Sequence, residues 1–143
     1  MPSGLPATTR TFSISEAASE VGLSVDALRY YERAGLMLDP VDRGASGHRC
    51  YSERDVGWLV FLTKVRRTGM PIRVMRDYAE LVRAGRGNED QRLALLEEHR
   101  RAVLAQIGET QHNLKAIEHK IADYGRRIAS VENSFAEEPE AMS

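Results

Sequence analysis

Two spacings divide the chain. From Leu93 to Val131 apolar side chains return alternately every three and four residues. One register holds Leu93, Arg100, Ile107, Leu114, Ile121 and Ile128, and the other holds Leu96, Val103, Thr110, Ile117, Tyr124 and Val131. Ten of these twelve are apolar, and the repeat persists for more than five heptads. This predicts a single long helix over 88–131 with a narrow apolar seam. The helix preceding it is less than half as long and cannot cover that seam, so the expectation is a homodimeric coiled coil. Gly108 and Gly125 each cost about 1 kcal/mol relative to alanine inside a helix, which makes this helix dependent on its partner. Spacing alone does not choose between a parallel and an antiparallel pair.

Upstream, over 12–85, the apolar positions come in short blocks punctuated by glycine. Ser13-Ile14-Ser15-Glu16 reads as a capping box, with Ile14, Ala17, Ala18 and Val21 striping the helix behind it. Val21-Gly22-Leu23-Ser24 is a short glycine-containing turn into a second helix, capped by Ser24 and stopped at Gly35. In that second helix Ala27, Leu28, Tyr31 and Ala34 share one face, while Asp26, Arg29, Tyr30 and Arg33 share the opposite one. Two guanidiniums flanking a phenol, on a helix of about ten residues, suit phosphate and guanine in a major groove. Helix, glycine turn and polar-faced helix together predict a helix-turn-helix.

The pattern then changes. Pro40-Val41-Asp42-Arg43 and His48-Arg49-Cys50-Tyr51 flank Gly44-Ala45-Ser46-Gly47, which predicts a hairpin with a flexible tip. Behind a recognition helix such a hairpin is a wing, and Arg43, His48, Arg49 and Tyr51 become candidate contacts to the DNA backbone. Ser52-Glu53-Arg54-Asp55 is a second capping box. It opens a helix with Val56, Leu59, Val60 and Thr63 on one face, broadened by Trp58, Leu62 and Val65. A fourth helix begins near Pro71 and carries Val74, Tyr78, Leu81 and Val82. Arg66, Arg67 and Arg73 bracket the turn between these helices and are secondary candidates for phosphate. After the break at Gly85–Asn88, Asn88 with Gln91 is expected to cap the long helix.

Phe12 to Ala18, Gly22-Leu23-Ser24-Val25, Leu28-Arg29-Tyr30-Tyr31-Glu32-Arg33-Ala34-Gly35-Leu36 and Gly47-His48-Arg49-Cys50-Tyr51-Ser52-Glu53-Arg54-Asp55 closely resemble the start of the MerR family of bacterial transcription regulators, and a weaker likeness runs to the end of the long helix. The resemblance implies a mostly α fold: a winged helix-turn-helix DNA-binding domain followed by a long dimerisation helix in an antiparallel coiled coil. It also implies wing arginines that clamp phosphates. The target is then a palindromic promoter, whose overlong spacer is bent and untwisted so that RNA polymerase engages both promoter elements. A two-fold dimer by itself requires two half-sites separated by whole helical turns.

Composition adjusts this picture without overturning it. Net charge is −1, with 12 Lys+Arg against 10 Asp+Glu in residues 1–85 and 8 against 11 in 86–143. Binding must therefore rest on the local placement of arginines, not on a broad positive field. Residues 1–11 hold little to bury and predict a disordered arm; 132–143 hold four acidic residues, no basic ones and Pro139, and predict a flexible tail. No stretch resembles a signal peptide or an 18-residue apolar run, so the expectation is a cytoplasmic, nucleoid-associated protein with no membrane partner. No paired carboxylates, phosphate loop or nucleophile elbow suggests an enzyme.

Candidate sensing chemistry is sparse. The metal sensors of the family carry cysteines at the head of the dimer helix and in a loop beyond it. Neither is present here, and His99, His112 and His119 lie outside the seam without ligand spacing, so no metal or other cofactor is expected. Family members that sense drugs append a large ligand domain, and only about a dozen residues follow the helix. The short-tailed branch, some of whose members respond to reactive aldehydes or nitrosative thiol chemistry, is the nearest in layout. Its sensing cysteine falls at Lys64 in this chain. Cys50, beside His48 and Arg49, is the sole thiol and the candidate thiol sensor; the competing and favoured reading is a small apolar plug. Two further readings of the whole chain remain: an architectural DNA-bending protein without a sensor, and a coiled-coil adaptor.

Overall fold

The computed structural model describes residues 10–39, 42–43 and 49–141. In chain order it has β1 (Thr11–Phe12), α1 (Ile14–Val21), α2 (Val25–Arg33), β2 (Asp42–Arg43), β3 (Arg49–Ser52), α3 (Glu53–Arg67), α4 (Ile72–Ala84) and α5 (Glu89–Ala141). The chain divides into two units, Met1–His99 and Arg100–Ser143.

The first unit is held by caps placed where the sequence put them. Ser13 Oγ accepts from the Glu16 N–H at 3.1 Å while Glu16 Oε1 accepts from the Ser13 N–H at 2.8 Å, so both open donors at the start of α1 are satisfied. The capping interaction holds Glu16 below its ordinary carboxylate pKa, chiefly through the Ser13 N–H. Ser52 and Asp55 repeat the arrangement at α3, at 3.0 and 2.9 Å. Each such cap contributes about 1 kcal/mol. The turn between α1 and α2 closes when the Leu23 N–H reaches the Ala18 carbonyl at 2.9 Å, with Gly22 at φ +78° taking the left-handed conformation.

The sheet has the order β1-β3-β2, antiparallel throughout. Thr11 pairs with Ser52 and Phe12 with Tyr51. The expected arm therefore ends earlier than predicted, because Thr11 is already a strand residue; 1–9 lie outside the described residues. β2 and β3 form the expected wing, with Asp42 opposite Cys50 and Arg43 opposite Arg49. Its tip, including His48, lies outside the described residues.

Leu28, Leu36, Tyr51, Leu59, Leu62, Met70 and Met75 are the large, fully buried side chains of the core, joined by Phe12, Ala17, Ala18, Val21 and Tyr31. In α4 the buried line is Met75 and Ala79; Val74, Tyr78, Leu81 and Val82 flank it, half-buried. The predicted stripe is thus one position off centre, because Met and Ala carry a weaker apolar signal than Val and Leu. Trp58, Phe61 and Tyr78 cluster between α3 and α4, the Trp58 and Tyr78 rings stacked with centroids 5.8 Å apart. At the start of α5, Leu95 and Leu96 pack against this core. Leu96, expected in the dimer seam, is therefore already partly used within its own chain.

Asn88 does not cap α5 with its side chain as expected. Its amide donates to the Leu81 carbonyl at 2.8 Å and its oxygen accepts from Arg92 Nε at 2.7 Å. Arg92 also donates to the Gly85 carbonyl. Asn88 thus joins the end of α4 to the first turns of α5.

The described residues of the second unit, 100–141, are helical throughout. α5 spans 53 residues and continues through ten residues of the segment expected to be a flexible tail. Val131 and Phe135 remain on its apolar line, so the heptad continues into that segment.

Candidate nucleic-acid interface

The face of α2 turned away from the core is built from the side chains singled out in sequence. Leu28 and Tyr31 are buried and Ala27 and Ala34 half-buried, while Asp26, Arg29, Tyr30 and Arg33 are exposed. Burial of one stripe thus fixes the outward direction of the other. Ser24 Oγ accepts from the Ala27 N–H at 3.0 Å, so its contribution to a DNA interface begins with ordering the helix start. Tyr30 stands edge-on to Tyr31 at 6.4 Å between centroids.

Arg29 Nη1 lies 3.7 Å from Asp26 Oδ1, with both side chains at least half exposed. An ion pair in that setting is worth between zero and about 1 kcal/mol. Arg29 can therefore leave Asp26 for a base or a phosphate at small cost.

The turn after α3 brings a second set of cations toward the helix-turn-helix. A Cβ added at Gly22 would sit 3.6 Å from Arg67 Nη2, so the Arg67 guanidinium lies against the turn that leads into α2. Burial pushes the Tyr31 hydroxyl pKa upward, and the positive charges of Arg66 and Arg67 oppose that shift. Arg66 Nη1 donates to the Met70 carbonyl at 3.0 Å, which closes the α3–α4 turn. Arg66 and Arg67 therefore stand beside the α2 module. Arg73 is exposed on the first turn of α4. On the wing, Arg43 and Arg49 are direct cross-strand partners.

Tyr51 departs from the expectation. Its ring is fully buried and its hydroxyl donates to the Glu32 carboxylate of α2. It ties the middle strand of the wing to the recognition helix instead of facing outward to a phosphate. The sequence placed it correctly next to the wing, but strand alternation alone could not say which side of the sheet would be covered. Cys50, the next residue on β3, is half-buried.

Sequence reasoning missed the residues that hold the far end of α2. Arg76 Nε donates to the Ala34 carbonyl at 2.8 Å, and Arg83 Nη1 donates to the Gly35 and Met37 carbonyls at 3.1 and 2.6 Å. Trp58 Nε1 donates to the Leu36 carbonyl at 2.7 Å. Arg76 and Arg83 are seven residues apart on one face of α4, a spacing visible in the sequence. Their acceptors are backbone carbonyls more than forty residues away, which the sequence does not mark.

Among the described residues no group of three or more His, Cys, Asp or Glu is placed to hold a metal ion, and no helix is long and apolar enough to cross a membrane.

A helix-turn-helix with a three-stranded wing and an outward-facing arginine–tyrosine stripe is the scaffold of a winged DNA-binding protein. Residues 12–81 match the family model described as MerR HTH family regulatory protein. An uncharacterized HTH-type transcriptional regulator of Haemophilus influenzae is 33% identical over 119 residues, covering 83% of this chain and 87% of the relative. A MerR family transcriptional regulator from Listeria monocytogenes superposes with a TM-score of 0.82 at 31% identity, covering 92% of this chain and 99% of that one. HiNmlR, a MerR family regulator lacking the sensor domain and solved bound to promoter DNA, superposes with a TM-score of 0.75 at 32% identity, covering 84% and 94% of the two chains. The chain belongs to the MerR family and is a DNA-binding transcriptional regulator, not an enzyme.

Proposed function

We propose that the chain works as a homodimer on a palindromic promoter, distorting the spacer so that RNA polymerase can engage both promoter elements. The observation that carries this reading is the α2 face: Asp26, Arg29, Tyr30 and Arg33 are all exposed while the opposite stripe lies in the core. HiNmlR, at 32% identity, was solved on promoter DNA, which supports placing this face in a major groove. Wing and turn arginines then grip the flanking phosphates.

Dimerisation rests on α5. Leu93, Ile107, Leu114, Ile117, Ile121, Tyr124, Ile128 and Val131 are all exposed by about half or more, and Val103 is half-buried. A second α5, running antiparallel, covers this seam and sets the separation of the two recognition helices. The working organisation is a DNA-binding domain over 12–85 and a dimer helix from 88 through at least 131. Its setting is the bacterial cytoplasm, on the nucleoid. A stress-linked response through Cys50, the chain's one thiol, is an accompanying regulatory reading beside the favoured one of Cys50 as a small apolar plug.

The test is a binding titration at two salt concentrations, using duplexes selected from a random pool by the wild-type chain and scrambled controls. Selective binding is expected, with Arg29→Ala costing about 1–3 kcal/mol on the selected duplex and relaxing its sequence preference. Arg67→Ala is expected to weaken all duplexes alike and reduce the salt slope by about one. Equal binding to every duplex would instead support an architectural bending protein, and no binding a coiled-coil adaptor.

A further inference from the structure

The four consecutive carbonyls that follow the recognition helix, from Ala34 to Met37, each accept a hydrogen bond from a side chain of α3 or α4. The donors are Arg76 for Ala34, Arg83 for Gly35 and Met37, and the Trp58 indole for Leu36. The backbone N–H groups of this stretch are also bonded: Ala34 to Tyr30, Gly35 to Glu32 and Leu36 to Tyr31. The last two bonds, with Gly35 at φ +76°, form the left-handed stop that ends α2.

A helix terminus leaves its last carbonyls without intrahelical partners and carries partial negative charge. Water can satisfy those carbonyls without fixing the helix in space. Here the last α2 carbonyls are met by the backbone N–H groups of residues 34–36, and two guanidiniums from a single helix take the carbonyls just beyond, Arg76 at Ala34 and Arg83 across Gly35 and Met37. Arg76 and Arg83 sit two turns apart on α4, so the pair also fixes direction. Rotation of α2 about its axis, or tilting of its C-terminal end, would break these bonds. Arg29, Tyr30 and Arg33 ride on the helix being held.

We infer that Arg76 and Arg83 of α4 are positioning residues for DNA recognition, clamping the exit of α2 so that Arg29, Tyr30 and Arg33 meet base edges at a fixed angle. The inference rests on the DNA-binding reading for its consequence but not for the clamp itself. Bidentate base contacts tolerate little misorientation, whereas phosphate attraction tolerates much. Loss of the clamp should therefore cost discrimination more than general affinity. Trp58 completes the set but also stacks on Tyr78, so the arginines are the cleaner probes.

The experiment uses the full chain with Arg76→Ala, Arg83→Ala and the double variant, alongside Val60→Ala as a control that loosens the half-buried flank of α3. Backbone amide exchange at Gly35 and Leu36 is followed by NMR without DNA, and the arginine variants should speed exchange there while the control does not. With the selected and scrambled duplexes, discrimination should fall about tenfold in the double variant. The salt slope should be unchanged, since neither arginine is used on a phosphate. Arg76→Lys with Arg83→Lys should recover part of the discrimination, because an ammonium still donates to carbonyls. A salt slope reduced by about two in the double variant would overturn the inference by making both residues phosphate contacts. Unchanged exchange at Gly35 and Leu36, or equal loss of discrimination in Val60→Ala, would overturn it as well. A wild-type chain that does not discriminate between duplexes would sink the DNA reading while the exchange measurement still decided the clamp.

Discussion

Tyr51→Phe separates two roles for a residue that sequence assigned to DNA and the structure assigns to the fold. The substitution keeps the buried ring and removes only the hydroxyl that donates to Glu32. A hydrogen bond to a charged acceptor contributes about 1.5–3 kcal/mol. Glu32 is half-buried and has further interactions, so water and neighbours take up part of the loss. A value at or just below the lower end of that range, about 1–1.5 kcal/mol, is therefore the expected destabilisation. For a unit of this size that corresponds to a fall in Tm on the order of 4–10 °C. Wild type, Tyr51→Phe, Glu32→Gln and the double variant should be melted at one fixed protein concentration, because the Tm of the proposed dimer depends on concentration. The double-mutant cycle should return a coupling of about 1 kcal/mol between the two side chains. DNA affinity measured well below the melting range should stay within about threefold, with an unchanged salt slope. A Tm within a degree of wild type, together with a slope reduced by about one, would refute the reasoning. It would return the hydroxyl to the phosphate backbone.

Three other outcomes follow from the same geometry. Leu114→Glu, at an exposed seam position in the middle of α5, should raise the dimer dissociation constant at least about a hundredfold, read by sedimentation at micromolar concentration. A dimer of unchanged strength would show that the seam is not the interface. Gly108→Ala has open space around the added methyl and should stabilise α5 by up to about 1 kcal/mol, seen as higher helicity on heating. The Glu16 carboxyl is held below its ordinary pKa by the Ser13 cap, so its contribution is present at neutral pH and lost as pH falls through the lowered value. Glu16→Gln should keep the cap yet flatten that acid-side dependence, compared by thermal melts between pH 3 and pH 7.

Reading the chain as sequence reached far where physics is local. Capping boxes at Ser13 and Ser52, the glycine stop after α2 and the two faces of α2 all depend on residues within a turn or two of one another. The heptad of α5 was equally legible, since a seam is a repeat and needs no tertiary knowledge to be seen. Its extent was not: acidic residues and Pro139 read as the end of order, yet α5 continues to Ala141.

What escaped was decided by packing between distant segments. Tyr51 sits on a strand whose two sides look alike in sequence, and only the arrival of α2 on one of them buries the ring. Met75 and Ala79 became the centre of α4 because α4 turns slightly from the face its Val and Leu residues suggested. Arg76 and Arg83 carry no mark in the sequence of the Ala34, Gly35 and Met37 carbonyls that the fold brings within their reach. The sequence by itself determined which helices form, where α1 and α2 stop and which face of α2 stays outside the core, because those are properties of neighbours along the chain. Only the tertiary structure decided which polar groups are spent inside the protein and which remain for a partner, because hydrogen-bond acceptors on the backbone leave no signature in residue type.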